Sequence, residues 1–173
     1  MTSDSMLKIS KRALDADELA EMIRLAIKAG HSVSFNAPGG SMLPFIHSDD
    51  KICVSPVAKM SIRVGDILVF VRPPDNQVIA HRVVKSSSDG FLCKGDNVTS
   101  LNDGWISYGS VLGRVERVQR KGKDVRIGVK LGNRLIAWLS GKKLLVPLFN
   151  SFRRVKRGIN RLFSRKNEKY LYI

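Results

Sequence analysis

Cysteine is nearly absent from this chain: Cys53 and Cys93 are the only two, forty positions apart, each inside a short apolar run. That spacing excludes the paired-cysteine patterns of structural zinc and of dithiol redox motifs, and it predicts buried free thiols with no disulfide framework. Histidine is almost as scarce, with three residues and no ligand spacing among them, so neither a metal nor another cofactor is expected. Aromatic residues make up 7% of the chain and are not interleaved with basic ones as a base-stacking surface would need. No helix-turn-helix, zinc or RNP signature is present, so nucleic acid is not an expected partner despite a pI near 10.3. Long apolar runs are missing too. Residues 131–149 come nearest, but Arg134, Lys142, Lys143 and Pro147 interrupt them, leaving no stretch of ~20 residues able to span a bilayer. The acidic beginning, with Glu21, Arg24 and Lys28 following, is unlike a secretory leader.

Acidic residues are the scarce charge, 15 against 30 basic ones. The imbalance is local. Residues 130–173 carry twelve basic and one acidic side chain, a net +11 of the chain's +15. From Phe152 onward, Val155, Ile159, Leu162 and Phe163 recur near helical spacing, with Arg153, Arg154, Lys156, Arg157 and Arg161 between them. This predicts a basic amphipathic helix able to lie on an anionic membrane surface.

Elsewhere the pattern is that of a mainly β protein preceded by one helix. Asp15 and Glu18 form a candidate capping box, Leu19, Met22, Ile23 and Ala26 a helical face, and Gly30 a stop. Between residues 32 and 129 the apolar runs shorten to strand length, at 32–36, 51–54, 67–71, 78–84, 90–94, 111–119 and 125–129. Turn-rich intervals such as Pro73-Pro74-Asp75-Asn76 separate them. A core of this size in 173 residues predicts a single domain with extensions.

Within that core, Pro38-Gly39-Gly40-Ser41-Met42-Leu43-Pro44 is a turn whose glycines and prolines preclude regular helix and can expose the Ser41 hydroxyl. Gly65-Asp66-Ile67-Leu68-Val69-Phe70 opens an apolar strand, Ile79-Ala80-His81-Arg82-Val83-Val84 reads as another, and Lys94-Gly95-Asp96-Asn97 and Asn102-Asp103 place carboxylates in loops. A serine hydroxyl is a poor nucleophile at neutral pH, and an imidazole can take its proton during attack and return it to a leaving amine. Taken singly, Asp66 and Asp96 are ordinary turn residues and Arg82 an ordinary solvated strand position.

In this order the five blocks resemble the boxes of type I signal peptidases, in the Ser/His form of the endoplasmic reticulum, archaea and some bacteria. The resemblance covers residues 34–118. It implies the β-rich catalytic core of the signal peptidase superfamily, with Ser41 as nucleophile and His81 as general base. A lysine at position 81 would have pointed to the Ser/Lys bacterial enzymes and to the self-cleaving repressors that share the fold. His47 and Lys94 are the next candidates for the base. Asp103 is the favoured orienter of the imidazole, with Asp96 in reserve.

The Ser41 backbone N–H is the natural oxyanion donor, and Gly39 stands where the family often has a second, hydroxyl donor. Gly39, Gly40, Met42, Leu43 and Pro44 are the expected substrate-binding residues, with Phe45 beside them. The implied plan is an N-terminal amphipathic helix over 1–30, a β-rich serine peptidase domain over 31–129, and a basic helical tail over 130–173. The implied activity is endoproteolysis of a precursor peptide or protein after a small residue. The expected location is cytoplasmic or peripheral to a membrane, without the N-terminal membrane helix usual in the family. The alternative is a non-catalytic nucleic-acid- or membrane-binding protein on a relic peptidase fold.

Overall fold

A computed structural model of the chain describes residues 7–8, 15–73, 75–99, 103–125, 130–142, 144, 146–147 and 151. The elements are β1 (Leu7–Lys8), α1 (Ala16–Lys28), β2 (Val33–Asn36), β3 (Lys51–Ser55), β4 (Ile67–Arg72), β5 (Gln77–Ser86), β6 (Phe91–Lys94), β7 (Trp105–Ile106), β8 (Val111–Arg120), β9 (Lys123–Val125) and α2 (Lys130–Gly141). The protein is mainly β. Its strands form one sheet in the order β1-β2-β3-β8-β4-β5-β6-β7, with β9 paired to β8. β1 and β2 are parallel, and all other pairs are antiparallel.

The long strand β8 organises the sheet. It pairs through Arg114–Gln119 with β3, through Val111–Arg114 with β4, and through its last three residues with β9. The neighbouring β4 is buried on both faces, because successive side chains of a strand point in opposite directions. Ile67 and Val69 join a cluster with Ala20, Ile23, Ile52 and Val54; Leu68 and Phe70 join another with Ile62, Val83, Phe91 and Cys93. A strand covered on both faces reads as an unbroken apolar run, as Ile67-Leu68-Val69-Phe70 does.

Helix α1 begins at the expected capping box. The Asp15 carboxylate accepts the Glu18 N–H at 2.7 Å, and Glu18 accepts the Asp15 N–H at 3.3 Å. The buried stripe, however, is Ala20 and Ile23, flanked by Leu19, Ala26 and Ile27, while Met22 is exposed. The helix thus shares the core of the sheet it covers.

Arg82 reverses its expected solvated position and is fully buried. Cys93 is buried, and burial pushes its thiol up to about 12; Cys53 is only partly covered. The two form no disulfide. In α2, Ala137 and Ser140 are buried and Leu135 and Trp138 exposed. The expected amphipathic helix from Phe152 onward and strand residues 126–129 lie outside the described residues. No helix among the described residues is long and apolar enough to cross a membrane.

Candidate active site

Three segments distant in sequence meet at one end of a cleft. Ser41 opens the turn between β2 and β3, and that turn is anchored by Met42 and Ile46, both buried in the core. Met42 O accepts the N–H groups of Phe45 and Ile46 at 3.0 and 3.1 Å, and the Leu43–Pro44 peptide is cis. Behind it, Asp50 binds Arg120 on β8 through two bonds of 2.8 and 2.6 Å, and Arg120 also donates to Phe45 O at 3.2 Å. The Arg120 hydrogen bond holds the Asp50 carboxyl below its ordinary value.

His81 lies in β5 opposite Leu68, and the Phe70 ring meets the imidazole edge-on at 6.5 Å between centroids. Asp103 follows β6, its N–H bonded to Cys93 O at 3.0 Å.

From these positions the side chains form a line. Ser41 Oγ is 2.9 Å from His81 Nε2, and His81 Nδ1 is 2.6 Å from Asp103 Oδ2. A carboxylate at Nδ1 assigns the ring proton to that nitrogen and leaves Nε2 to accept the serine proton. His81 and the Asp103 side chain are each more than nine-tenths buried. Asp103 Oδ1 is 3.6 Å from Arg72 Nη1, while Arg72 also binds Asp75 through a guanidinium–carboxylate fork. Asp75 is the main cause, and Asp103 a smaller one, of an upward shift of the Arg72 pKa.

Asp96 belongs elsewhere. Its carboxylate takes three bonds of 2.7–3.1 Å from the buried Arg82, whose remaining Nη1 donates to Gly65 O at 2.9 Å. The Arg82 guanidinium also lies 5.2 Å from the Phe45 ring centroid. Asp96 therefore does not orient His81, because a buried arginine claims both of its oxygens; Phe45 covers that ion pair. Four of the sequence blocks thus meet around Arg82 and His81, which adjoin on one strand. The other candidate bases make bonds elsewhere: Lys94 Nζ donates to Ser140 O at 2.5 Å, and His47 Nε2 lies 3.1 Å from Pro44 O.

The cleft holds about 430 Å³ and is lined by Phe35, Gly39, Ser41, Met42, Ile46, Ile52, Val69, Arg72, Val78, Ala80 and His81, among others. Of the five expected substrate-binding residues, Gly39 and Met42 line it, whereas Gly40, Leu43 and Pro44 do not. Gly40, Leu43 and Pro44 build the turn that carries Ser41. Along the cleft, Gln77–His81 pair with β4 on one side only, since β6 joins β5 at Arg82. No second strand pairs with that stretch of β5 among the described residues. Among those residues no group of histidine, cysteine and carboxylate side chains could hold a metal ion.

No protein-family model and no curated protein matches the chain. Its chemistry is therefore read from its own residues. Sequence reasoning passed over three of them. Arg72 lies just past the expected strand 67–71 and drew no reading there. Gly95 was quoted only inside its block, yet a Cβ there would stand 2.8 Å from Ser41 O and 2.9 Å from His81 Nε2. Asn97, singled out only as part of its block, donates its N–H to Ser41 O at 2.7 Å and its Nδ2–H to Gly40 O at 3.1 Å.

Proposed function

We propose that this chain is a serine endopeptidase of the signal-peptidase type, cleaving a precursor peptide or protein, with Ser41 as nucleophile, His81 as general base and Asp103 as its orienter. The observation that carries the reading is the Ser41–His81–Asp103 line, with gaps of 2.9 and 2.6 Å, at the wall of an apolar cleft. Burial alone accounts for a histidine or an aspartate. It does not account for a serine, an imidazole and a carboxylate arranged end to end beside a strand segment paired on one side only.

In this mechanism the Ser41 Oγ–H proton passes to His81 Nε2 as Oγ bonds the scissile carbonyl carbon, and the carbonyl electrons move onto its oxygen. Asp103 stabilises the imidazolium without taking its proton. Collapse of the adduct breaks the C–N bond, and Nε2–H passes to the leaving amine. Water then gives a proton to Nε2 as its oxygen attacks the acyl-enzyme, and Ser41 leaves with that proton. The substrate adds as an extended segment beside Gln77–His81, where main-chain bonds hold it and alternate side chains enter the cleft. Cleavage after a small residue follows from the signal-peptidase resemblance.

The test is incubation with candidate precursor peptides followed by mass spectrometry, with Ser41→Ala and His81→Ala in parallel. A fragment that forms with the wild type and not with either variant supports the reading. Equal fragmentation by all three overturns it.

A further inference from the structure

The geometry points to Asn97 as a positioning residue that aims the oxyanion donor, a role that rests on the peptidase reading above. The backbone N–H of Ser41 is that donor, and no hydrogen bond occupies it among the described residues. Gly39, at φ +76°, carries no hydroxyl to assist it, so transition-state stabilisation depends on how firmly one peptide plane is held.

The Gly40–Ser41 peptide is trans, which places its C=O and N–H on opposite sides of one plane. Asn97 Nδ2–H grips the Gly40 carbonyl at 3.1 Å, and the Leu43 N–H grips it at 3.2 Å. Holding the oxygen on one side fixes the direction of the N–H on the other. The Asn97 N–H also binds Ser41 O at 2.7 Å, so one residue restrains the peptides before and after the nucleophile.

Asn97 is itself held in place. Its neighbour Asp96 is locked onto Arg82, the Val98 N–H closes a turn onto Gly95 O at 3.2 Å, and Gly95 has no room for a side chain against Ser41 and His81. The buried Arg82–Asp96 pair therefore reaches the nucleophile through Asn97. The side-chain bond of this exposed asparagine to Gly40 O thereby affects charge development on the substrate oxygen.

A peptide boronate carrying alanine at the reacting position separates these effects. Its tetrahedral adduct on Ser41 places an oxygen where the oxyanion forms, whereas the matching peptide carboxamide binds only as a ground state. Adduct formation is read by boron NMR and by the inhibition constant. The wild type is expected to form the adduct and Ser41→Ala is not; absence of an adduct in the wild type overturns the peptidase reading and the role of Asn97 with it.

Given an adduct, Asn97→Ala is expected to bind the boronate about tenfold more weakly, with carboxamide affinity unchanged. The near-isosteric Asn97→Asp, which sets a carboxylate against Gly40 O, is expected to lose more. Wild-type boronate affinity in both variants, or an equal loss for boronate and carboxamide, overturns the role of Asn97 and leaves the peptidase reading standing.

Discussion

Asp103 Oδ2 stands 2.6 Å from His81 Nδ1, while its second oxygen is 3.6 Å from Arg72 Nη1. One oxygen is thus committed to the imidazole and the other faces a cation, which fixes the carboxylate's rotation. Asp103→Asn keeps the shape but can present an N–H to Nδ1, favouring the tautomer in which Nε2 carries the proton and cannot accept it from Ser41. Turnover of a cleaved precursor is expected to fall on the order of 10⁴-fold. Ser41→Ala and His81→Ala should each abolish cleavage, and the double variant should lose no more than either alone, since the two groups act as one unit. Steady-state rates with melting curves check this: activity near wild type in Asp103→Asn would remove Asp103 from the mechanism.

Asp96 should behave differently. Its carboxylate neutralises a fully buried guanidinium, so Asp96→Ala strands the Arg82 charge and should destabilise the fold by about 3–5 kcal/mol, the range for breaking one side of a buried pair. Urea unfolding measures this directly. A variant as stable as the wild type would mean that water reaches Arg82.

What could be read from the sequence follows from how local each signal is. The capping box of α1, the apolar run of β4 and the turn around Ser41 are set by neighbours a few residues apart, and their placement agrees with the expected pattern. The pairing of Ser41 with His81 was suggested by the order of the blocks, which no periodicity contains. Asp96 and Asp103 are indistinguishable as single letters, because their difference lies in Arg82 and Arg72, residues brought to them by strand register. Arg82 itself was misjudged, since a charged residue in a strand is ordinarily solvated and only tertiary structure supplies the buried carboxylate. β7 escaped because two residues are too few to show alternation, and Met22 because α1 is rotated toward its Ala20–Ile23–Ile27 stripe.

The loop behind Ser41 should carry a pH signature. The Arg120 hydrogen bond lowers the folded-state pKa of Asp50 from its ordinary 3.8. A depressed carboxylate binds its proton more readily when unfolded. Its stabilising contribution is therefore fully present above the unfolded value near ~3.9 and is lost as pH falls through the folded value. Asp50→Asn should lower stability at pH 7, and the gap between variant and wild type should close progressively below about pH 4. Denaturant titrations across pH 2–7 read the gap; a constant difference over that window would show that Asp50 does not carry the effect.

The last expectation concerns the basic end of the chain. Residues 152–173 carry eight basic and one acidic side chain, and α2 before them exposes Leu135 and Trp138 while burying Ala137 and Ser140 against the sheet. Apolar side chains exposed on a docked helix and followed in sequence by dense positive charge suit the boundary layer of an anionic bilayer, where each basic residue near the surface adds ~1 kcal/mol. Salt weakens such attraction because the Debye length shrinks from ≈ 10 Å at 0.1 M to ≈ 3 Å at 1 M. The protein is therefore expected to sediment with phosphatidylserine vesicles at low salt, to be released at high salt, and to bind less after removal of residues 152–173. Ser41, His81 and Asp103 lie outside that segment, so cleavage of a free peptide should survive the truncation. Binding that persists through both the truncation and high salt would reject electrostatic attachment through this tail, and resistance to alkaline carbonate extraction would indicate a span in place of surface attachment.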